Sequence, residues 1–453
     1  MKIKTPSYAI PFIFFVLTAL FFFSQQNELI NHQTLGRVTK NWTVVDGQKT
    51  LQSIPFHSIN DSTVVRWDAE HYLLIKEHGY NVSQAGSDFI YAFFPAFPAF
   101  WRVTGLSAQW MPVVNFLLYV IGLLILYNLF GSRLRATGMW ISVALPTIII
   151  FLIPYTEALF FVLIAIGIWG YMKQKYFLYF AAMLLAALTR PSFTILGIAL
   201  VCNEFLNLAG HKDIRQFLFG SFKMVSPLLL GTFFVGLIQY SQGSGELFAF
   251  MRVQEYWGHK LGWPTKLTDW SHQGFDLNVA ILFLLFIPIS IYLLKLFINN
   301  LRAIVTFGEH SSDRIVYLRN LSMIYILGTV LFVVFFRGGS LHCLFRFVMC
   351  SPFAYILLFT FPSFNLSNKR LNLGAGMFSL LALLTLTFVE YGRGWNFSDL
   401  GFFILVSSLF LLINSDQHAK PWFRLQLTIT VGLNVIWTAW MFNSYLGDCW
   451  IFA

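Results

Sequence analysis

Apolar residues form long, nearly uninterrupted blocks along most of this 453-residue chain, separated by short polar stretches. A membrane-spanning helix needs about 20 predominantly apolar residues, because the hydrocarbon core of a bilayer is about 30 Å thick. Blocks of this kind predict thirteen spans. The predicted spans are residues 7–24, 112–131, 138–154, 157–172, 177–190, 192–208, 223–241, 278–298, 321–337, 346–363, 373–391, 399–414 and 425–443.

The composition favours lipid over water as the solvent. Hydrophobic residues make up 57% of the chain and charged residues only 11%, whereas a soluble domain carries about 25% charged residues. In lipid the outer surface of each helix is apolar, so this excess needs no large dry core. We therefore predict an all-α polytopic membrane protein of about 11–13 spanning helices, forming a single domain over residues 1–453.

The formal charge of +10 raises the question of a nucleic-acid partner. In a membrane protein, however, Lys and Arg gather in the cytoplasmic loops. With the amino terminus placed inside, 17 of the 30 bases but only 5 of the 20 acids fall in cytoplasmic stretches, which gives +12 inside and −2 outside. Every predicted cytoplasmic loop is then basic, and no nucleic-acid partner is expected.

The first apolar block, from Tyr8 to Phe23, follows Lys2 and Lys4. A signal peptide has this charge pattern, but no small-x-small cleavage site comes after the block. The pattern therefore favours an uncleaved first transmembrane helix.

This topology places the segment 25–111 on the extracytoplasmic side. At about 85 residues it is much longer than a simple connector. Residues 67–80 predict an amphipathic helix with Trp67, His71, Leu74 and Ile75 on one face and Asp68 beside Tyr72. Asp68 is then either a solvated charge on an interfacial helix or a general base. Its spacing leaves both interpretations open.

The aromatic run 89–101, which contains Pro95 and Pro98, is too broken for a spanning helix. Phe, Tyr and Trp are favoured at the membrane interface. The run therefore predicts an interfacial segment at the end of the long outer loop.

Three further charges fall at outer helix ends. Glu157 begins a predicted helix, where it either assists a Thr156 cap or points into a cavity. Arg190 lies just before Pro191, where it either snorkels to the interface or holds an anionic group such as a phosphate. Arg346 is a second cation suited to that role.

Two outer loops add polar and aromatic side chains. In the segment 337–347, Gly338 and Gly339 allow close backbone approach, and His342 would share a face with Arg346 if the segment were helical. The run from Gln254 to His259 includes Trp257, a mixture that suits a sugar site or an ordinary interfacial belt.

Motifs for nucleotides and metals are absent from the sequence. It contains no Walker motif, dinucleotide fingerprint or HExxH. The histidines lack metal-ligand spacing, and the four cysteines are too scattered for a zinc site. We therefore expect no metal and no cofactor.

The string Trp67-Asp68-Ala69-Glu70-His71-Tyr72, followed by Gly79-Tyr80 and by the run 93–98, resembles the PIG-V-like family. These are GT-C type mannosyltransferases, including GPI mannosyltransferase 2 and its bacterial relatives. Later stretches resemble that family's signatures in the same order, although Phe347 replaces the expected Tyr after Arg346. These stretches are 154–157, 189–191, 254–258 and 346–347.

The resemblance implies a GT-C type bundle that transfers mannose or a similar hexose, with inversion, from a polyprenyl- or dolichyl-phosphate donor. The acceptor would be an extracytoplasmic or lumenal glycolipid, glycan or protein, and the bacterial inner membrane is favoured over the endoplasmic reticulum. Asp68 would be the general base. Substrate-binding residues would be Trp67, His71, Glu157, Arg190, Gln254, Trp257, His342 and Arg346.

A transporter or flippase of lipid-linked sugars is the alternative, because it also needs broken helices and outward charges. Against it, ionisable residues are almost absent from the middle of the predicted spans, and no inverted repeat is visible. A purely structural membrane subunit would leave the long outer loop unexplained.

Overall fold

The computed structural model describes eleven stretches of the chain and residue 451. The stretches are residues 10–24, 40–45, 48–53, 56–81, 87–131, 136–191, 193–211, 214–268, 272–306, 314–360 and 399–449.

Helices dominate the described residues, in agreement with the predicted all-α class. The α-helices are α1 (Ile10–Ser24), α2 (Asp61–Val64), α3 (Asp68–His78), α4 (Ala96–Thr104), α5 (Met111–Phe130), α6 (Ala136–Ser142), α7 (Glu157–Met172), α8 (Tyr176–Thr189), α9 (Ile198–His211), α10 (Ile214–Gln239), α11 (Ala249–Arg252), α12 (His272–Ile281), α13 (Ile287–Thr306), α14 (Arg314–Phe336), α15 (Leu344–Met349), α16 (Pro352–Thr360), α17 (Asp399–Ile413) and α18 (Pro421–Leu446).

Shorter turns of other geometry flank or join several of these helices. The 3-10 turns are Ser87–Ala92, Ala108–Trp110, Ile148–Leu152, Val253–Trp257 and Ser415–Gln417, and the π-helical turns are Phe193–Gly197, Tyr240–Ser244 and Leu282–Phe286. The long loop after α1 also contains an antiparallel hairpin of β1 (Lys40–Val45) and β2 (Gln48–Ser53), with Lys40 opposite Ser53.

The helices pack in a connected bundle. α7 lies between α5 and α8, and α8 also packs on α10. α10 continues the series to α9 and then α14, while α18 packs against α1 and α17. The predicted interfacial run of the first outer loop is indeed broken, into the 3-10 turn 87–92 and the short helix α4.

Within the part of the chain that the structure describes, five helical stretches are long and apolar enough to cross a bilayer. They are Ala108–Phe130, Ile214–Ser244, Leu277–Asn299, Arg314–Phe336 and Pro421–Leu446. Five shorter apolar helices accompany them, among them α7, α8 and α17. The chain is therefore a membrane-embedded helical protein.

The two ends of α7 carry different polar groups. Its first residue, Glu157, lies among the residues predicted to be extracytoplasmic. At its last residue, Met172, the carbonyl accepts a hydrogen bond from Arg314 Nη1 at 2.8 Å. Tyr317, one turn further along α14, donates to Glu204 at 2.6 Å. The helix ends predicted to be cytoplasmic thus meet one another, away from Glu157.

The predicted span 138–154 is not one continuous helix. It breaks after α6, and a 3-10 turn follows. In lipid, backbone groups freed in this way must be satisfied within the protein. Asn434 Nδ2 donates to the carbonyls of Val143 at 3.0 Å and Leu145 at 3.2 Å, and Trp437 Nε1 donates to that of Pro146 at 3.2 Å.

The predicted span 346–363 is also interrupted. α15 ends at Met349 and α16 begins at Pro352, because proline at that position cannot continue the backbone hydrogen bonds of α15. The predicted span 373–391 lies outside the described residues.

Replacing Asn434 should destabilise the bundle measurably. Asn434→Ala leaves the Val143 and Leu145 carbonyls buried without this donor, and such a loss costs about 1–3 kcal/mol. We expect a lower midpoint of thermal unfolding in detergent. Thr428→Ala on the same helix removes an exposed hydroxyl that bonds within its own helix, so it should leave the midpoint nearly unchanged. Equal midpoints for the two variants would contradict this account of the break.

Candidate functional site

Asp68 is the first residue of α3, and the chain before it is fixed by local hydrogen bonds. The side chain of Asn60 caps α2 by accepting from Ser62 N at 3.0 Å and Thr63 N at 2.9 Å. Between α2 and α3, Trp67 has φ 55° and ψ −122°. The Asp68 side chain is 29% exposed, so it remains accessible at the helix start.

The spacing placed Trp67, His71, Leu74 and Ile75 on one face of α3 without deciding whether that face is buried. The structure buries Ala69, Tyr72 and Ile75 and leaves Trp67 40% exposed. Which residues of this short helix are buried depends on packing partners that lie elsewhere in the chain.

His71 and Tyr72 flank the Asp68 carboxylate on the next turn of α3. The His71 ring stacks on Phe93 at 4.4 Å between centroids. Burial lowers the pKa of the His71 imidazole, and the charges of Asp68 and Glu70 partly oppose this shift. Burial also raises the pKa of the Tyr72 hydroxyl, with Asp68 contributing. Both side chains are therefore neutral at neutral pH.

Glu157 starts α7 directly after the corner formed by Ile153, Pro154 and Tyr155. The amide of Asn115, on α5, donates to the carbonyls of Ile153 and Tyr155 and so holds this corner. Because the corner is fixed from α5, the first side chain of α7 is directed into the bundle. Glu157 has no exposed side-chain surface.

Arg190 and Arg346 reach Glu157 from two other elements. Arg190 is the C-cap residue of α8. Arg346 lies in the short helix α15, whose amino end is held by the Asn278 side chain, which accepts from Phe345 N at 2.7 Å. The start of α7, the end of α8 and the short helix α15 therefore bring these three charges together.

Four of the predicted site residues form one continuous ionic network. Arg346 Nε donates to Glu157 Oε1 at 2.5 Å, and Arg346 Nη1 donates to Asp68 Oδ2 at 3.1 Å. Arg190 Nη1 lies 3.0 Å from the same Glu157 oxygen. Arg346 is nearly buried, at 6% exposure, while Arg190 is 20% exposed. The formal charges of the four groups cancel.

The structure does not contain the capping interaction that was one of the two interpretations of Glu157. Thr156 makes no side-chain hydrogen bond as the N-cap of α7. Glu157 instead pairs with two guanidinium groups through Oε1. Its Oε2 is buried and has no hydrogen-bond partner among the described residues, so this oxygen retains accepting capacity.

Aromatic rings extend the network. The guanidinium carbon of Arg346 lies 4.7 Å from the centre of the Tyr155 ring. Phe347 is approached by two cations, with Arg190 at 5.6 Å and Arg337 at 5.3 Å from the ring centre. Arg337 is thereby tied to the same site through Phe347.

The segment after α14 is held by an adjacent loop. Gly339 has φ 93°, and a Cβ there would collide with the Lys266 carbonyl, so the predicted close backbone approach is confirmed at Gly339 but not at Gly338. Leu341 N donates to Thr268 O at 2.7 Å. α15 begins only at Leu344, so His342 lies before the helix. The helical face that His342 and Arg346 would have shared is therefore not formed.

Two other predicted substrate-binding residues, His342 and Gln254, contact Arg337 and His259. The His342 carbonyl accepts from Arg337 Nη1 at 2.8 Å. Gln254 Oε1 lies 2.9 Å from His259 Nδ1. Burial lowers the pKa of His259 to about 4, with the charge on Arg337 contributing. The side chain of Trp257 lies outside the described residues.

The sequence did not single out the tyrosines that contact this site. Tyr155 and Tyr445 both donate to backbone carbonyls just before Trp67. Tyr155 directly follows Pro154, which was a detectable signal of a turn. Tyr445 lies at the end of the last helix, and its long-range contact has no local signature.

The fold and the site together define a membrane-embedded helical bundle with a buried ionic network near one end. Comparison with protein-family models, curated proteins and solved structures gives no match to this chain. The resemblance to GT-C type mannosyltransferases therefore stays a prediction.

Neutralising Glu157 should strongly destabilise the protein. Glu157→Gln leaves two guanidinium groups with one carboxylate, Asp68, in the four-residue network. Removing one partner of a buried ion pair costs about 3–5 kcal/mol. Thermal unfolding in detergent measures this loss as a lower midpoint.

The matched control for Glu157→Gln is Glu246→Gln. Glu246 is 53% exposed and pairs with Arg252 at 3.2 Å. Exposed pairs contribute less than about 1 kcal/mol, so its midpoint should barely move. A similar small effect at Glu157 would show that the network contributes little to stability.

Proposed function

We propose that this protein is an inverting glycosyltransferase. It would move a mannose or similar hexose from a polyprenyl- or dolichyl-phosphate donor to an acceptor hydroxyl. The observation that carries the proposal is the network in which Arg346 joins the half-buried Asp68 carboxylate to Glu157 and Arg190.

In this reaction Asp68 takes the proton of the acceptor hydroxyl. The acceptor oxygen forms a bond to the anomeric carbon, and the bond from that carbon to the phosphate oxygen breaks. The electron pair leaves with the lipid phosphate. Asp68 suits this role because it is the first residue of α3 and its carboxylate is 29% exposed, so an acceptor hydroxyl can approach it.

The charge balance of the network supports this division of roles. Before reaction, two cations and two carboxylates cancel. When Asp68 gains a proton the network becomes +1, just as the leaving phosphate gains one negative charge. Arg346 contacts Asp68 directly, so protonation of Asp68 removes one negative partner of this guanidinium. The guanidinium then becomes available to stabilise the leaving phosphate.

Glu157 then has a supporting role that its burial favours. Its Oε1 keeps Arg190 and Arg346 beside each other, although the two cations repel. Trp67, which is 40% exposed next to Asp68, offers an aromatic face for stacking on a sugar ring.

The charge count supports the proposed side of the membrane for this site. Basic residues concentrate at the helix ends away from the network, which favours an extracytoplasmic or lumenal active site. A lipid-linked phosphate donor is compatible with this side, since it needs no nucleotide. We place the enzyme in a plasma membrane of bacterial type, with a glycolipid, glycan or protein as acceptor.

The general-base role is tested with Asp68→Asn. Purified protein is incubated with radiolabelled polyprenyl-phosphate sugars and membranes, and the labelled acceptor is identified. We expect the variant to lose transfer by at least about 100-fold, the range for removing a general base. Donor binding should be retained or tighter, because the variant network carries an added positive charge.

Glu77→Gln is the control for this experiment. Glu77 lies on the same helix, is 51% exposed and is 3.9 Å from His78, so the variant should transfer normally. Near-normal transfer by Asp68→Asn would remove Asp68 as the base. Bound or translocated label without covalent transfer by the unmodified protein would favour the transporter instead.

The phosphate-binding role is tested with Arg190→Ala and Arg346→Ala. A charge-assisted hydrogen bond contributes about 1.5–3 kcal/mol, so each variant should weaken donor affinity by roughly 10-fold or more. Equilibrium binding of a polyprenyl-phosphate sugar to purified protein measures this change.

Arg252→Ala is the matched control for the arginine variants. Arg252 pairs with Glu246 and lies outside the ionic network, so its loss should not change donor affinity. If Arg190→Ala and Arg346→Ala both bind donor as the unmodified protein does, the phosphate is held by other groups.

A further inference from the structure

The backbone immediately before Asp68 is strained. Trp67 has φ 55° and ψ −122°, a combination that residues with a Cβ rarely adopt and that glycine tolerates. Such conformations persist only where surrounding contacts impose them. The contacts around residues 64–67 therefore have to supply this constraint.

Two tyrosine hydroxyls converge on the carbonyls that precede Trp67. Tyr445 donates to Val64 O at 2.9 Å and also lies 3.3 Å from Arg66 O. Tyr155 donates to Arg66 O at 3.4 Å. A hydroxyl has one proton, so the short bond from Tyr445 to Val64 is the principal one and the longer contacts add to it.

These tyrosines belong to elements far apart in the sequence. Tyr445 lies in the last turn of α18, and Tyr155 lies at the corner before α7. Both are fully buried, and their rings meet edge to face at 6.2 Å between centroids. They form a rigid contact between the bundle and the segment that leads into α3.

Further bonds anchor the same segment. The side chain of Asn443, two residues before Tyr445, accepts from His57 N at 2.9 Å. Asp61 Oδ1 accepts from Gln109 N at 2.9 Å. The chain from residue 57 to residue 66 is therefore fixed to α18 and to the start of α5, and α3 begins from a fixed point.

Tyr155 also touches the partner of Asp68. Its ring lies 4.7 Å from the guanidinium carbon of Arg346, which binds Asp68 at 3.1 Å. Tyr155 thus contacts both the backbone that orients the Asp68 carboxylate and the Arg346 guanidinium that binds this carboxylate. This arrangement relates the strained residue to the ionic network rather than to packing alone.

We propose that Tyr445 and Tyr155 are positioning residues for Asp68. Their hydroxyls hold Val64 and Arg66 so that Trp67 keeps its strained backbone, and that backbone directs the Asp68 carboxylate at Arg346. The catalytic part of this inference rests on the proposed function, in which Asp68 is the base. The structural part is independent of it.

The strain is tested by comparing Trp67→Gly with Trp67→Ala. Both variants lose the indole ring and differ only in a Cβ. At an ordinary backbone position glycine is the less stable of the two, because it has more freedom in the unfolded chain. At φ 55° the order should invert, and Trp67→Gly should unfold at the higher temperature.

The positioning is tested by measuring what Asp68→Asn costs in two backgrounds. In the unmodified protein the substitution should lower the unfolding midpoint, because Arg346 loses a partner. In Tyr445→Phe the Asp68 carboxylate is no longer held toward Arg346. Asp68→Asn should therefore lower the unfolding midpoint less in this background. Tyr179→Phe is the control, since Tyr179 is buried and donates to Met224 O at 2.7 Å elsewhere in the bundle.

The transfer assay provides a third readout. Tyr445→Phe should lower kcat by about 10- to 100-fold through misplacement of the base, with the donor KM unchanged. Combining Tyr445→Phe with Trp67→Gly should retain more activity than combining it with Trp67→Ala, because glycine adopts the required backbone without the tyrosine. Tyr179→Phe should keep its kcat.

The stability results decide the proposal without any transfer. It is overturned if Trp67→Gly is no more stable than Trp67→Ala and Asp68→Asn costs the same with and without the Tyr445 hydroxyl. If the stability results hold but the unmodified protein transfers no sugar, the proposed function fails and the structural part of the positioning stands. If transfer occurs and Tyr445→Phe keeps its kcat, the catalytic part is overturned.

Discussion

A carboxylate without exposed surface is stable inside a membrane-embedded bundle only when cations accompany it, and Glu157 has two. Satisfying that one charge joins the start of α7, the end of α8 and the short helix α15. Arg346 then has a second guanidinium nitrogen directed at Asp68, which ties α3 to the same point. The relative placement of four separate elements therefore depends on the pairing of Glu157.

The network also explains why an accessible carboxylate and a buried cation occur together. The Asp68 side chain is 29% exposed, while Arg346 is nearly buried and is held by Glu157 and by the Tyr155 ring. A proton arriving at Asp68 frees positive charge on Arg346 without any movement of the backbone. Under the proposed function this arrangement would be electrostatic preorganisation, in which the charges are in place before the reaction begins.

The sequence placed the charged site residues on one side of the membrane, but it did not predict how they would pair. The charge asymmetry of the loops grouped Asp68, Glu157, Arg190 and Arg346 on one face. Pairing across 278 and 189 residues depends on helix packing, which local patterns do not encode. The spacing within α3 did not decide which of its residues are buried, for the same reason. Hydropathy also merged α6 with the following 3-10 turn, because the side chains of this irregular segment are as apolar as those of a spanning helix and are buried inside the bundle.

Irregular backbone in such a bundle needs polar side chains from its neighbours, and α18 supplies many of them. Asn434 and Trp437 satisfy the break after α6. Two turns further on, Asn443 and Tyr445 hold the segment before Asp68. Asn434 and Tyr445 are fully buried in the bundle, and these bonds offset the cost of burying their polar groups. α18 thereby links the stability of the bundle to the geometry at Asp68, because side chains on successive turns of this one helix make both sets of bonds.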